Sequence, residues 1–277
     1  AGKLMDQRFA EDIISYVHNQ KAGNPNKPFL TVDYAIGKCT ASRGDKIVVG
    51  EGHVEVLTAA ASVALDVAGV TIEGVGVGRS RPRFNYTTAA AASFDVTAAN
   101  CRVTNCVFTP IGVDAITAAI NVSAADFTID NCEIELADAT NQATLGILTA
   151  SGADRMTVDS CWIHGSADAG TATAIRIAAG KDIRIMRSLI WGNFTTTLGG
   201  IDNSAAVVNL TVFDCNIANN TASASKAIVC HASTTANLYR NIYRVLTGTA
   251  PITCAGGYGS GGSYYTAAVG VTAGTLI

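Results

Sequence analysis

A nine-residue phrase returns at a nearly constant step along this 277-residue chain, and that period limits the fold more than any other feature does. The copies read GVTIEGVGV (Gly69 to Val77), NCRVTNCVF (Asn100 to Phe108), DFTIDNCEI (Asp126 to Ile134), RMTVDSCWI (Arg155 to Ile163), DIRIMRSLI (Asp182 to Ile190) and NLTVFDCNI (Asn209 to Ile217). A weaker copy, TANLYRNIY, ends at Tyr243. Their seventh positions are Val75, Cys106, Cys132, Cys161, Ser188, Cys215 and Asn241, separated by 31, 26, 29, 27, 27 and 26 residues. A second apolar position precedes each phrase at the same step: Leu65, Phe94, Ile120, Ile147, Ile175, Ile201 and Ile228.

Within the phrase, positions two, four, seven and nine are apolar or small and their neighbours mostly polar, which is strand alternation carried around a bend. A strand–bend–strand unit this short cannot bury its inward face alone, so it stacks on its neighbours, each coil adding about 4.8 Å of height. Leucine-rich repeats would need a Leu-rich phrase with an Asn at a fixed place, and an up-and-down barrel would need hairpin turn pairs between strands. Neither signal is present, so the period predicts an all-β, single-domain parallel β-helix of at least seven coils.

Composition fits one elongated body. Charged residues are 15% against the roughly 25% of ordinary soluble domains, and hydrophobic residues reach 48%. The apolar residues are interleaved, so no membrane span is expected. A net charge of −3 gives no electrostatic reason to bind nucleic acid. The opening AGKLMDQRF lacks the parts of a secretory signal, which leads to an expected cytosolic origin. Most of the eight cysteines, namely Cys101, Cys106, Cys132, Cys161, Cys215 and Cys230, occupy inward repeat positions, where reduced Cys acts as a small buried hydrophobe. No C-x-x-C occurs, and neither a metal nor a cofactor is expected.

Three segments are expected: an amphipathic N-terminal helix or arm over residues 1–22, the β-helix over 23–250, and a Gly/Tyr-rich tail over 251–277. Phe9, Ile13, Ile14 and Val17 fall at helical spacing, so the first segment reads as a helix capping the first coil or as an arm gripping a partner. The tail, with Tyr258, Tyr264 and Tyr265, breaks the period and reads as a docking segment or end cap.

After Gly23 the chain reads GNPNKPFLTVDYAIGKCTASRGDKIVVGEGHVEV. Pro28, Phe29, Thr31, Ala35, Ile36, Gly44, Asp45, Ile47, Val49, Gly52 and Glu55 make this segment resemble the start of right-handed parallel β-helix repeat proteins of the pectate-lyase-like class. The resemblance covers Pro28 to about Tyr243 and implies a right-handed coil. Because enzymes on this fold act on acidic polysaccharides, it also implies a search for outward carboxylates.

Asp130 and Asp159 share a phrase position in adjacent coils, where two carboxylates about 5 Å apart suit a retaining glycosidase or hold calcium. The competing reading is surface charge eased by Arg102, Arg155, Arg184 or Lys181. Arg176 and Asp202 are expected to form a surface ion pair. His164 is placed beside Trp191, with Trp162 and Leu189 as the adjacent outward pair, and an aromatic strip there suits a sugar ring. The competing explanation for Trp162, Leu189, Trp191, Met186, Phe213 and Tyr239 is a subunit interface, joined by Phe9 and Ile13 of the arm and by Tyr264 and Tyr265 of the tail.

Two functions are therefore expected from different classes. One is a non-enzymatic virion protein made in a host cytoplasm, resembling phage β-helical proteins: a homo-oligomer, expected to be a trimer, that contacts capsid or tail proteins. The other is a polysaccharide-binding or polysaccharide-cleaving β-helix using Asp130, Asp159, His164 and the Trp pair.

Overall fold

The computed structural model describes residues 28–137, 141–165, 171–194, 198–203, 205–222, 225–246 and 251–254, together with the strand backbones of 14–17, 258–261 and 264–267. The chain winds as a right-handed solenoid whose coils each lay one strand in three parallel sheets. The first sheet has ten strands, running from Ile14–Val17 to Tyr258–Gly261. The second has eight, from Val63–Leu65 to Ile252–Cys254, and the third has nine, from Val54–Leu57 to Tyr264–Ala267. The repeated phrase is the first-sheet strand, a corner, and the third-sheet strand, as in Thr128–Asp130 followed by Glu133–Ala137.

Inward positions stack coil on coil. Ile134, Ile163, Ile190 and Ile217 form a fully buried column on the third sheet, and Ile147, Ile175, Ile201 and Ile228 form another on the second. Each such side chain is worth about 1.5–3 kcal/mol of burial. Near the N-terminal end the core turns aromatic: Phe84 stacks on Phe108 at 4.9 Å, and Phe94 meets both rings edge-on at 5.3 and 5.5 Å.

The corners explain the phrase more fully than residue size does. Its first position takes the left-handed conformation at Gly69, Asn100, Asp126, Arg155, Asp182 and Asn209, and its sixth does so at Asn105, Asn131, Ser160, Arg187, Asp214 and Arg240. Asn and Asp tolerate this region better than other side-bearing residues, which accounts for their recurrence there. In the seventh position, the buried side chain of one coil accepts the backbone N–H of the preceding coil's corner. Cys106 N donates to Cys132 Sγ at 3.4 Å, Cys161 N to Ser188 Oγ at 3.2 Å, and Cys215 N to Asn241 Oδ1 at 2.9 Å. The amides of Cys132 and Ser188 reach the sulfurs of Cys161 and Cys215 in the same way. The slot thus selects small side chains that accept a hydrogen bond. All six cysteines expected inside are buried, and no disulfide forms among the described residues.

Several expectations are corrected. Val75 is 43% exposed because residues 75–82 form an insertion; Arg83 pairs with Val107, so Pro82 occupies the corner equivalent to Cys106. In the second sheet Val63, not Leu65, pairs with Phe94. His53 is buried at the first corner, with Nε2 2.8 Å from Glu55 Oε2.

Within the segment expected to be helical, Ile14–Val17 is a strand paired in parallel with Lys46–Val49. The open edge of the first sheet offers an unpaired backbone row, and β-branched Ile and Val suit a strand there. Phe9 and Ile13 lie outside the described residues. Capping falls instead to the short helix Val32–Ile36, whose Val32, Ala35 and Ile36 are buried. Thr31 Oγ1 accepts the Tyr34 amide and the buried Glu55 carboxylate accepts the Val32 amide at 3.0 Å. Asp45, fully buried, accepts from the Thr40 amide and the Arg43 guanidinium, so the Gly-Asp and Glu signals of this segment are structural. The Gly/Tyr-rich segment extends the stack, with Ile252–Cys254, Tyr258–Gly261 and Tyr264–Ala267 each adding a strand to a different sheet.

Candidate functional site

Asp130 and Asp159 are direct register partners on the first sheet, as their phrase position requires. Each is already satisfied. Arg102 binds Asp130 through two parallel bonds of 2.7 and 2.8 Å, and Thr104 Oγ1 donates to the same carboxylate at 2.8 Å. Asp159 is held by Arg187 and by Ser160 Oγ at 3.0 Å. The pair thus has every carboxylate oxygen already accepting a hydrogen bond from a neighbouring side chain. It belongs to a set of coil-to-coil ion pairs that includes Arg155 with Asp126 at 2.6 Å and Arg240 with Asp214 at 2.6 Å.

Arg176 and Asp202 are register partners on the second sheet and form the expected ion pair, with the Asp202 end buried and the Arg176 end partly exposed. Asp202 is 2% exposed, burial raises its carboxyl pKa against the opposing pull of Arg176, and the Arg176 Nε lies 3.3 Å from Oδ2.

The richer patch is on the outer face of the third sheet. Trp162 and His164 project from one strand, Leu189 and Trp191 stand opposite them in the next coil, and Glu133 and Glu135 in the preceding one. The His164 ring lies near-parallel to both indoles, with centroids 4.0 Å from Trp162 and 5.6 Å from Trp191 and interplanar angles of 24° and 16°. Its Nε2 lies 3.0 Å from Glu133 Oε1, and Glu133 Oε2 is ion-paired with Arg81. One ligand atom each from Glu133, Glu135 and His164 lies within 4.8 Å of the other two. The patch therefore combines a fixed imidazole, two carboxylates, a guanidinium and an indole that is 42% exposed at Trp162.

His164 and both tryptophans are thus together, as the repeat phase predicts. The two glutamates were overlooked although the same phase carries them, since they hold the positions of Trp162 and His164 one coil earlier. Arg81 comes from the 75–82 insertion and has no repeat position to betray it.

Around the corner, Met186, Phe213 and Tyr239 form the expected outward column. Phe213 and Tyr239 stack at 5.3 Å and 5°, Arg240 lies 5.9 Å from the Tyr239 ring, and Tyr239 is 37% exposed. The Leu189 side chain is 39% exposed. Tyr264 and Tyr265 lie in the last strand of the third sheet.

A comparison with curated proteins finds no match. The model of the family described as the right handed beta helix region matches residues 83–258, which is more than half of the chain. The three parallel sheets, the repeated corners and this match together place the chain in the right-handed β-helix family.

Proposed function

We propose that this β-helix is a non-enzymatic structural protein of a virus particle, a capsid decoration or a tail fibre or spike component that acts through protein–protein contacts. The observation that supports this reading is the pair of outward apolar columns, Met186–Phe213–Tyr239 on the first sheet and Trp162–Leu189 on the third, beside an acidic pair whose members each carry their own arginine. Contiguous apolar area on the side of a rod favours association over solvation. The virion setting rests on likeness of architecture. Mass spectrometry of assembled particles should detect the chain at a fixed copy number. Sedimentation should show a homo-oligomer, expected to be a trimer, that dissociates when Phe213 or Tyr239 is replaced by Glu. Absence from particles together with a monomer at micromolar concentration would overturn the proposal.

A second reading, a polysaccharide-binding or polysaccharide-cleaving face, is favoured by one observation: the exposed Trp162 indole next to Glu133 and His164. Incubation with host-surface polysaccharide separates the two. Chain shortening that depends on Glu133 or His164 would replace the structural reading, and unaltered polysaccharide would support it.

A further inference from the structure

We propose that Glu133, Glu135 and His164 form a binding site for one borderline divalent transition-metal ion, with Zn2+ as the reference case. The ion would tie the coil of Glu133–Ala137 to that of Trp162–Gly165, and this inference does not depend on the function proposed above.

The donor set has the chemistry for it. Imidazole nitrogen with two carboxylate oxygens suits zinc and its first-row neighbours, whereas calcium takes six to eight oxygens and magnesium keeps most of its water. Zn–N and Zn–O bonds of about 2.0–2.2 Å set donor atoms roughly 3.4 Å apart in a tetrahedral site. His164 Nε2 and Glu133 Oε1 stand at 3.0 Å, and Glu135 completes a triangle whose sides do not exceed 4.8 Å. A rotamer adjustment of the partly exposed Glu135 closes the remainder.

The surroundings orient these donors. Arg81 engages Oε2 of Glu133 and so turns Oε1 toward the imidazole, which is the outer-shell role that carboxylate ligands require. The two indoles fix the plane of the His164 ring and direct Nε2 at the glutamates. Glu135 and His164 are register partners in adjacent coils, so the ladder beneath them holds their spacing. The Glu135 carboxylate makes no hydrogen bond or ion pair with any described residue, which leaves it available. Without metal, a hydrogen bond between Nε2 and Oε1 occupies the line along which both would turn to the ion, so binding displaces that contact. Three protein ligands leave a fourth position for water or for a carboxylate of a partner.

The test uses a built-in reporter. The chain has two tryptophans, and both flank His164. Calorimetric titration of the full chain with Zn2+ under reducing conditions should give one site per chain, and Ni2+ or Co2+ should quench the intrinsic fluorescence saturably. Ca2+ should do neither. Glu135→Gln, a conservative change at a partly exposed position, should weaken Zn2+ by at least about tenfold, on the scale on which loss even of an outer-shell partner costs 10- to 100-fold. His164→Gln should abolish the calorimetric signal, and Asp130→Asn should leave it unchanged. Circular dichroism confirms that each variant is folded. No saturable signal up to about millimolar Zn2+, Mn2+ or Ni2+, or a signal that survives both Glu135→Gln and His164→Gln, would overturn the proposal.

Discussion

Replacing Ser188 by Ala tests whether the corner slot demands a hydrogen-bond acceptor or only a small side chain. Ser188 is 2% exposed; its Oγ accepts the Cys161 amide at 3.2 Å and donates to the Met186 carbonyl at 2.8 Å. Alanine keeps the Cβ and removes only the oxygen, so little apolar contact is lost. The Met186 carbonyl keeps the Ser160 amide at 3.1 Å, but the buried Cys161 amide is left with no acceptor. A buried polar group stripped of its partner costs about 1–3 kcal/mol. Ser188→Ala should therefore lower stability by about that amount, read as a shift of the urea midpoint at unchanged slope. Faster hydrogen exchange at the Cys161 amide should accompany the shift. Ser188→Cys restores an acceptor of the kind used at Cys132, Cys161 and Cys215 and should stay within about 0.5 kcal/mol of the parent. If Ser188→Ala proves as stable as Ser188→Cys, with Cys161 exchange unchanged, the slot selects for size and the acceptor argument fails.

Truncating Phe108 removes the ring stacked on Phe84 and met by Phe94, and Phe108→Ala should cost about 3–5 kcal/mol in the same assay. Asp130→Asn, by contrast, breaks a bidentate pair whose arginine is half-exposed, and should cost no more than about 1 kcal/mol, with a smaller effect in high salt. Burial pushes the Cys215 thiol up to about 12, and burial followed by the charge of Asp45 pushes Cys39 up to about 11. Because the reactive thiolate then forms only well above neutral pH, both should resist alkylation at pH 8 in the native protein and react in denaturant, as mapped by mass spectrometry. Rapid native labelling of Cys215 would show that its coil is open.

The fold could be read from sequence because most coils restate the same demands: two inward apolar columns, two left-handed corners and one buried slot. Phase alone then placed Asp130 beside Asp159, His164 beside Trp191, and Met186, Phe213 and Tyr239 in one column. Phase failed where the coil changes length. The 75–82 insertion displaced Val75 from the corner column, and Leu65 was assigned two residues off. At the N-terminal end, Ile14 and Val17 fall at helical spacing, and the open edge at Lys46–Val49 makes the segment a strand through pairing that lies about 30 residues away in sequence. At the C-terminal end, glycines hide the alternation, yet a parallel ladder needs only backbone groups, so Tyr258–Gly261 and Tyr264–Ala267 join the stack. At the candidate site, Glu133 and Glu135 hold the phase positions of Trp162 and His164 one coil earlier, so the repeat carries them too. The bond from Arg81 to Glu133 spans 52 residues and arises from an insertion, so no local pattern announces it.

Register between adjacent coils is the claim on which the surface assignments depend, and disulfide trapping reads it directly. Thr128 and Thr157 face each other across one step of the first sheet, while Arg184 lies one coil further on. Parallel neighbours sit about 4.8 Å apart, within the Cα range that a disulfide spans, and a two-coil gap of about 9.6 Å exceeds it. The Thr128→Cys/Thr157→Cys variant should crosslink on mild oxidation while Thr128→Cys/Arg184→Cys should not. Crosslinking of the second pair in preference to the first would contradict the stacked register.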